Sequence, residues 1–204
     1  MGIKSSIALY KGIVAAGFSL VKDRSVESHD GLCWNATLKH GQTEILQASN
    51  GGYGGPDEVH ILLSAEDQKQ GALKPFIDKL YGVSEVADSI RRQEIDSVNF
   101  RREHDIGEGT DFDAEIEAIK IAPLKRDEET IAGVIADFAD AKKAVASLKR
   151  AVKTKICWIE KGPEADSDSY THVKMADNPE NRAAVMKRYG ATIDVLIADL
   201  LQGL

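Results

Sequence analysis

The fold of the first part of the chain is decided by one stretch, Leu32-Cys33-Trp34-Asn35-Ala36-Thr37-Leu38-Lys39. Its even-numbered residues are apolar and its odd-numbered residues are mostly polar, which is the two-residue period of a half-buried β-strand. His40-Gly41 follows as a tight turn, because glycine reaches the positive φ angles that such turns need. Residues 42–49 are therefore predicted to return as the partner strand of an antiparallel pair.

The register of this pair stays open, because Ile45 and Leu46 are adjacent and a regular strand lets only one of them face the core. Two further strands are predicted around the pair. Ile13–Val21, rich in small and β-branched residues, is followed by the polar, turn-like segment Asp23–Gly31, and Val59–Leu63 alternates as a short fourth strand. The first 64 residues are thus predicted to form an antiparallel sheet.

The pattern becomes helical after Ser64. Ala65–Leu80 carries apolar residues at helical spacing, and Pro75 is expected to cut or kink that helix. Another helix is predicted from Ser84 to about Arg102, with acidic residues in its first turn. Residues 104–113 are predicted to be a loop.

The clearest helical pattern runs over residues 127–153, where apolar residues repeat every seven positions around Phe138. Acidic residues lead this segment and basic residues close it, which suits the helix dipole. An amphipathic helix of this length is expected to pack inside the monomer. A homodimer formed through the 127–153 helix is the alternative.

The C-terminal part predicts a β-hairpin and a helix. Lys155–Glu160 and Tyr170–Met175 are the two predicted strands, and Asn178 caps a last helix in which Gly190 is a break. The fold class is therefore α+β, with an N-terminal antiparallel sheet, central helices and a C-terminal β-hairpin plus helix. We expect one domain over residues 1–204, with a sheet-rich lobe 1–82 and a helix-rich lobe 83–204 as the alternative, and whether the two sheet segments share one sheet stays open.

The composition narrows the function classes. The net charge of −7 argues against direct nucleic-acid binding, which rests on basic residues that neutralise phosphates. No apolar run is long enough to span a membrane and no signal peptide is recognisable, so we expect a cytoplasmic protein that does not bind membranes. Cys33 and Cys157 are expected to be buried, reduced thiols and not a disulfide.

The most distinctive motif is the glycine loop after the third strand. Its candidate ligand-binding residues are Asn50, Gly51, Gly52, Tyr53, Gly54 and Gly55. Successive amides of such a loop can form a nest for an anion, while Tyr53 can stack on a base and Asn50 offers a donor and an acceptor. The loop therefore predicts a site for a nucleotide or another anion. The alternative is a purely structural turn, because glycine is the default where the chain turns sharply.

The charge is unevenly distributed along the chain. Residues 84–129 contain 14 acidic and 7 basic residues, whereas residues 130–161 contain 3 acidic and 7 basic ones. The candidate partner-binding residues are Asp111, Asp113, Glu115 and Glu117. They could present an acidic surface to a protein with a basic surface, or they could form an ordinary solvated face on a strand or short helix.

No pattern of catalytic residues is recognisable. The histidines His29, His40, His60, His104 and His172 show no metal-binding spacing, and no Gly-x-Ser-x-Gly turn is present. We therefore predict no catalytic residue, no metal site and no cofactor, and a binding protein in preference to an enzyme.

Two stretches resemble segments of small bacteriophage-encoded accessory proteins. One is the strand that closes on the loop Ser49–Gly55, and the other is the C-terminal run from Lys155-Ile156-Cys157-Trp158 through Asn178-Pro179-Glu180 to Arg188-Tyr189-Gly190. The resemblance implies a protein that acts in the cytoplasm of a bacterial host and inhibits a host defence factor by protein–protein contact. A binder that sequesters a nucleotide at the glycine loop is the competing hypothesis.

Overall fold

The computed structural model describes residues 1–29, 31–53, 56–107, 109–162 and 169–204. It is 50% helix and 23% strand, which confirms the α+β class with an N-terminal antiparallel sheet, central helices and a C-terminal small sheet plus helix. Two compact units are present: Gly12–Asp137 forms one, and Met1–Lys11 together with Phe138–Leu204 forms the other. The single domain 1–204 stays a prediction.

The helices are α1 (Ile3–Ala15), α2 (Ala65–Lys69), α3 (Leu73–Tyr81), α4 (Ser84–Glu103), α5 (Phe112–Ile121), α6 (Glu128–Ala151), α7 (Pro179–Tyr189) and α8 (Ile197–Leu200). The strands are β1 (Phe18–Ser28), β2 (Gly31–His40), β3 (Thr43–Gly51), β4 (Glu58–Ile61), β5 (Ile156–Glu160), β6 (Thr171–Val173) and β7 (Ile193–Leu196).

The first sheet is an antiparallel meander in the order β1-β2-β3-β4. Leu38 pairs with Leu46, but the next pair joins Lys39 to Glu44, so Ile45 is the extra residue of a β-bulge. The bulge lets both Ile45 and Leu46 be buried. The expectation that only one of them faces the core is therefore wrong, because it assumed an uninterrupted two-residue period.

The prediction that the first 64 residues are sheet is wrong at its start. Residues 3–15 form α1, in which the buried residues Ile3 and Ile7, and likewise Leu9 and Ile13, lie four positions apart. The predicted strand Ile13–Val21 and the predicted turn Asp23–Gly31 are also corrected, because β1 runs through to Ser28. An irregularity between Val21 and Arg24, with Lys22 at a φ of 55°, breaks the alternation that would have marked this strand.

The helical part of the unit Gly12–Asp137 follows the sequence pattern with one correction. The break expected at Pro75 lies instead at Gly71, whose φ is +73°, between α2 and α3. Pro75 lies in the first turn of α3, where its missing N–H costs no helical hydrogen bond. The helix predicted from Ser84 is confirmed as α4.

A polar network joins α4 to α6. Ser89 and Gln93 of α4 both donate hydrogen bonds to Oδ2 of Asp137. The bond from Nε2 of Gln93 is 2.9 Å long. The amide of Gln93 lies over Gly133, where a Cβ would come within 2.5 Å of its Oε1. Gly133 is thus the position at which α6 makes room for the side chain of Gln93.

The predicted helix over 127–153 is confirmed as α6, and its apolar stripe is buried within the chain. Phe138 is 1% exposed and its ring lies 5.8 Å from the ring of Tyr10. In the unit that contains the chain termini, this helix contributes Val145 and Leu148 to a cluster with Ile3, Ile7, Cys157, Ile159, Ile197 and Leu201. The homodimer through this helix stays a prediction.

The second sheet is antiparallel, in the order β6-β5-β7, so the two sheet segments belong to separate sheets. The C-terminal hairpin is confirmed as β5 and β6. Asn178 caps α7 by accepting a hydrogen bond from the N–H of Asn181, and the helix ends at Gly190 as predicted. The last helix predicted beyond Gly190 is wrong over residues 193–196, which form β7 beside β5, whereas residues 197–200 are helical as α8.

Candidate functional site

The first sheet presents a row of polar side chains on its outer face. Asn35 of β2 lies opposite Ser49 of β3, and Ser49 lies opposite Glu58 of β4. Neighbouring strands are about 4.8 Å apart, so the three side chains cross the sheet in a line. The opposite face carries the buried Ala36 and Ala48. The polar row therefore lies on the face opposite these two core residues, although Thr37 on the same face as the row is buried.

Three polar side chains on this face are uncommitted. Gln47 lies on β3 two residues before Ser49 and points to the same face as the row. It is paired with Thr37 on β2 and with His60 on β4. The side chains of Asn35, Gln47 and Ser49 make no hydrogen bond to any part of the chain that the structure describes. They are free to donate to and accept from a bound molecule.

Tyr53 stands at the edge of this face. Its side chain is 82% exposed. The ring lies against Gly51, which points to the same face as Asn35 and Ser49 because it lies opposite Cys33. A Cβ on Gly51 would come within 3.2 Å of Cδ2 of the ring. The absence of a side chain at residue 51 thus gives the ring its place beside the polar row.

Together these groups form the sheet-face groove, with a volume of about 470 Å³. Its lining residues are Cys33, Trp34, Asn35, Gln47, Ser49, Asn50, Gly51, Tyr53, Pro56 and Glu58. Two aromatic residues and several amide and hydroxyl groups in one concave surface are the usual ingredients of a small-molecule site.

Asn50 serves the loop itself. Its Oδ1 accepts a hydrogen bond of 2.7 Å from the N–H of Gly52, and its Nδ2 donates one of 2.7 Å to Oδ1 of Asp57. Gly52 has a φ of +76°, a conformation that glycine adopts at little cost. Gly54 and Gly55 lie outside the described residues. Asn50 therefore fixes the turn that carries Tyr53.

The charges in and around the sheet-face groove bear on the predicted anion site, which stays a prediction. Its lining includes the carboxylate of Glu58 and no lysine, arginine or histidine among the described residues. Asp57 is held beside it by Asn50, and the N–H of Gly52 is already used by Asn50. Two cationic candidates flank the row: Arg24 of β1 is exposed and lies opposite Asn35. His60 lies opposite Gln47, with its Nε2 3.6 Å from Oε2 of Glu58. A negatively charged ligand would be repelled by these carboxylates.

The four predicted partner-binding acids all lie on or beside α5, and each has an intramolecular partner. Asp111 caps α5 by accepting a hydrogen bond of 3.0 Å from the N–H of Ala114. Asp113 and Glu115 form ion pairs with arginines of α4, and Glu117 pairs with Lys120 at 2.6 Å. These contacts use the acids to attach α5 to α4 and to stabilise its ends.

The two arginines that neutralise these acids are Arg101 and Arg102, at the end of α4. Their guanidinium groups also lie 5.9 Å and 5.7 Å from the centre of the Phe112 ring. No residue of α5 is buried, and Ile121 is 86% exposed. The helix is thus attached to α4 by two ion pairs and by the Phe112 ring, and its Ile116 and Ile119 are half-buried.

The cysteines and histidines are separated in the structure. Cys157 is buried, and this burial raises the pKa of its thiol, whereas Cys33 is half-buried in the sheet-face groove and both thiols are free. Burial is thus confirmed for Cys157 and only partly for Cys33.

The His40 ring lies between Phe18 and Phe76, with Nζ of Lys79 2.8 Å from its Nε2. Across the described ranges, no three His, Cys, Asp or Glu side chains converge as a metal-binding set.

The candidate site predicted from the sequence was the glycine loop, and this prediction missed Asn35, Gln47, Ser49 and Glu58. The signal was present in the odd-numbered positions of β2 and β3, which the alternation already assigned to the solvent face. Only the pairing of strands brings them into one row, and that pairing depends on the register.

Comparison with protein-family models, with curated protein sequences and with solved structures found no match to this chain. The resemblance to phage accessory proteins therefore stays a prediction. Within the described residues, no helix has the length and apolar character that crossing a membrane requires.

Proposed function

We propose that the chain is a binding protein that holds a small molecule on the outer face of its N-terminal sheet. One observation carries the proposal: the sheet-face groove contains uncommitted amide and hydroxyl groups, from Asn35, Gln47 and Ser49, beside an aromatic ring that is 82% exposed. Exposed aromatic rings and unpaired polar groups that share one concave surface are typical of ligand sites.

Two features make the groove suitable as a preformed site. The polar residues are carried on paired strands, whose backbone hydrogen bonds fix their spacing. The turn that carries Tyr53 is fixed by the side chain of Asn50. A site whose geometry exists before binding loses less entropy when the ligand arrives.

The test is a ligand screen read out at the groove. Isotope-labelled protein is titrated with uncharged sugars, nucleosides, and mono-, di- and cyclic nucleotides, and the side-chain amide signals of Asn35 and Gln47 are followed by NMR. Tyr53→Ala should weaken binding of any hit by about ten- to a hundredfold, the range of ring stacking. Phe100→Ala removes another exposed ring, 55% exposed and outside the groove, and should leave binding unchanged. A hit that ignores Tyr53→Ala would remove the proposal.

Inhibition of a host defence factor by protein contact, as in a phage accessory protein, is the second candidate function. The observation that favours it is α5, which has no buried residue and leaves Ile121 86% exposed. Asp113 and Glu117 are also exposed, although both are paired. The acidic surface is thus smaller than the net charge of the segment suggests.

The cleanest test of this candidate is Glu117→Lys, because Glu117 pairs only within α5. If α5 contacts a basic partner, this change should weaken the complex, and rising salt should weaken the wild-type complex, since exposed charges are screened beyond about 8 Å at physiological ionic strength. Asp113→Lys is less informative, because it also breaks the ion pair with Arg102. A complex that is indifferent to both Glu117→Lys and salt would exclude the acidic surface.

A further inference from the structure

We infer that the ligand of the sheet-face groove is an uncharged saccharide, an inference that rests on the binding function proposed above. Three features of the groove carry it: its charge, the kind of polar groups in it and their position relative to the Tyr53 ring.

The carboxylates at one end of the groove disfavour phosphorylated and carboxylated ligands there. Glu58 lines the groove, Asp57 is tied to the same loop through Asn50, and the described lining contains no cationic side chain. Among the described loop amides, the N–H of Gly52 already donates to Oδ1 of Asn50. An anion bound beside Glu58 would meet repulsion, while the exposed Arg24 lies opposite Asn35, three strands and roughly 14 Å from Glu58.

The polar groups match hydroxyl groups. The amides of Asn35 and Gln47 and the hydroxyl of Ser49 each donate and accept, and the carboxylate of Glu58 accepts. A sugar hydroxyl also donates and accepts, so a polyol can bond to all four groups at once. The edge of a nucleobase has a fixed pattern of donors and acceptors and would need a more specific arrangement.

The row is longer than one hydroxyl group requires. Asn35, Ser49 and Glu58 lie on three neighbouring strands, about 4.8 Å apart, and therefore span roughly 10 Å. That length fits more than one hydroxyl of a sugar ring, or the rings of a disaccharide. Tyr53 flanks the row, and an aromatic face can pack against the C–H face of a sugar ring.

The exposure of the groove points the same way. Asn35, Glu58 and Tyr53 are all exposed, so a bound molecule keeps part of its surface in water. An apolar ligand would gain little there, because its binding depends on surface removed from water. A saccharide loses little, because its remaining hydroxyls stay hydrated.

The experiment uses the full chain, labelled for NMR, and four sets of probes. They are the methyl glycosides of glucose, galactose and mannose, the disaccharides cellobiose and lactose, glucose 6-phosphate, and the pair adenosine and AMP. A neutral saccharide is expected to shift the side-chain amide signals of Asn35 and Gln47. A 6-phosphate should bind about tenfold more weakly than the neutral sugar, as expected for added negative charge near a carboxylate.

The variants locate the binding. Tyr53→Ala and Gln47→Ala should each weaken the saccharide at least about tenfold, whereas Phe100→Ala should not, since Phe100 lies outside the groove. Tyr53 is 82% exposed, so its removal leaves the core intact. Tighter binding of the disaccharides than of the methyl glycosides would assign the site to a glycan, and equal binding would assign it to a free sugar.

Three outcomes would overturn the inference. Binding of AMP or glucose 6-phosphate in the groove, tighter than that of the uncharged counterpart, would refute a saccharide and leave the binding function standing. Adenosine binding in the absence of any saccharide would do the same. If no probe shifts the signals at millimolar concentration, the saccharide and the small-molecule function fail together.

Discussion

The ring of Tyr53 occupies the space that a side chain on Gly51 would fill, because a Cβ at residue 51 would come within 3.2 Å of Cδ2 of the ring. Gly51 does not have a positive φ, so its backbone conformation is open to other residues. An alanine at this position would therefore disturb the ring and not the main chain.

Gly51→Ala is accordingly expected to weaken ligand binding in the sheet-face groove by displacing Tyr53. In a Tyr53→Ala background the same change should have no further effect beyond about 0.5 kcal/mol, because the two residues act through one contact. Titration of the four proteins of this double-mutant cycle with the same ligand measures the coupling. Additive losses would show that Gly51 acts independently of the ring.

Phe138→Ala is expected to lower the free energy of unfolding by about 3–5 kcal/mol, since a fully buried ring is replaced by a cavity. Urea denaturation measures the loss. Phe138→Leu is the control, because it keeps most of the apolar volume and should cost clearly less. Sedimentation of both variants tests the homodimer: a dimer that dissociates into a folded, equally stable monomer would contradict a role of Phe138 in the core.

Gly133→Ala is expected to destabilise the protein, although alanine normally stabilises a helix by about 1 kcal/mol relative to glycine. The reason is Gln93, whose amide lies over Gly133 and is held by Asp137. In a Gln93→Ala background the obstacle is gone, and Gly133→Ala should become stabilising. Thermal melts of the single and double variants decide the sign, and a stabilising effect in both backgrounds would contradict this account.

Asp177 should contribute to stability in a pH-dependent way. Its hydrogen bonds from Arg182 hold the pKa of its carboxyl below the usual 3.8. The stabilisation is therefore fully present above pH 3.8 and is lost as the pH falls through the lower, folded-state pKa. Asp177→Asn should be less stable than wild type at pH 7, and the difference in melting temperature should shrink under acid conditions. The exposed Asp140→Asn serves as control, and a difference that stays constant with pH would refute the assignment.

The effect of Tyr81 on stability has the opposite pH dependence to that of Asp177. Burial, with a contribution from Asp127, raises the pKa of its hydroxyl from 10.0 to about 12, and the hydroxyl has no hydrogen-bond partner within the described residues. Stability should thus fall as the pH rises from 10 towards 12, because the unfolded chain ionises first. Tyr81→Phe keeps the ring under Arg126 and should remove this loss.

At neutral pH, Tyr81→Phe should leave stability unchanged or raise it by up to about 1 kcal/mol, because an unpaired buried hydroxyl is removed. Denaturation at pH 7 and at pH 11 measures both effects. A loss of several kcal/mol at pH 7 would mean that the hydroxyl has a partner after all.

The sequence predicted the elements whose pattern is regular. The alternation in residues 32–39 led to β2, the heptad around Phe138 led to α6, and Asn178 marked the start of α7. In each case a local rule and the tertiary packing agree, so local reasoning was sufficient.

Prediction from the sequence failed where tertiary packing overrides the local pattern. Ile45 and Leu46 are both buried because a bulge absorbs one residue, and a bulge has no reliable signature in a single strand. The short β7 follows Gly190 and is a strand because it pairs with β5, although its apolar residues also suit a helix. In α1 the spacing of Ile3 and Ile7 was a usable signal that the small, β-branched residues after Ile13 obscured.

The candidate site was predictable in part. Tyr53 and Gly51 were recognisable from the glycine loop, and the structure places both at the sheet-face groove. The row Asn35, Ser49 and Glu58 was not, because it exists only through the pairing of three strands. The role of the acidic residues on α5 was obscured for the same reason, since Arg101 and Arg102 reach them only through the packing of α4 on α5.

The unit that contains both termini is discontinuous in sequence, and this has a consequence for the order in which the protein acquires structure during translation. Residues 1–11 belong with residues 138–204, and Lys4 and Lys11 bond to Asp194 and Gln202, about 190 positions away. On the ribosome the first eleven residues emerge early but find their partners last, whereas Gly12–Asp137 is one uninterrupted segment. Ile3 and Ile7 therefore stay unburied until residues 138–204 have been synthesised, so a chaperone that binds exposed apolar residues has a site there throughout the synthesis of Gly12–Asp137.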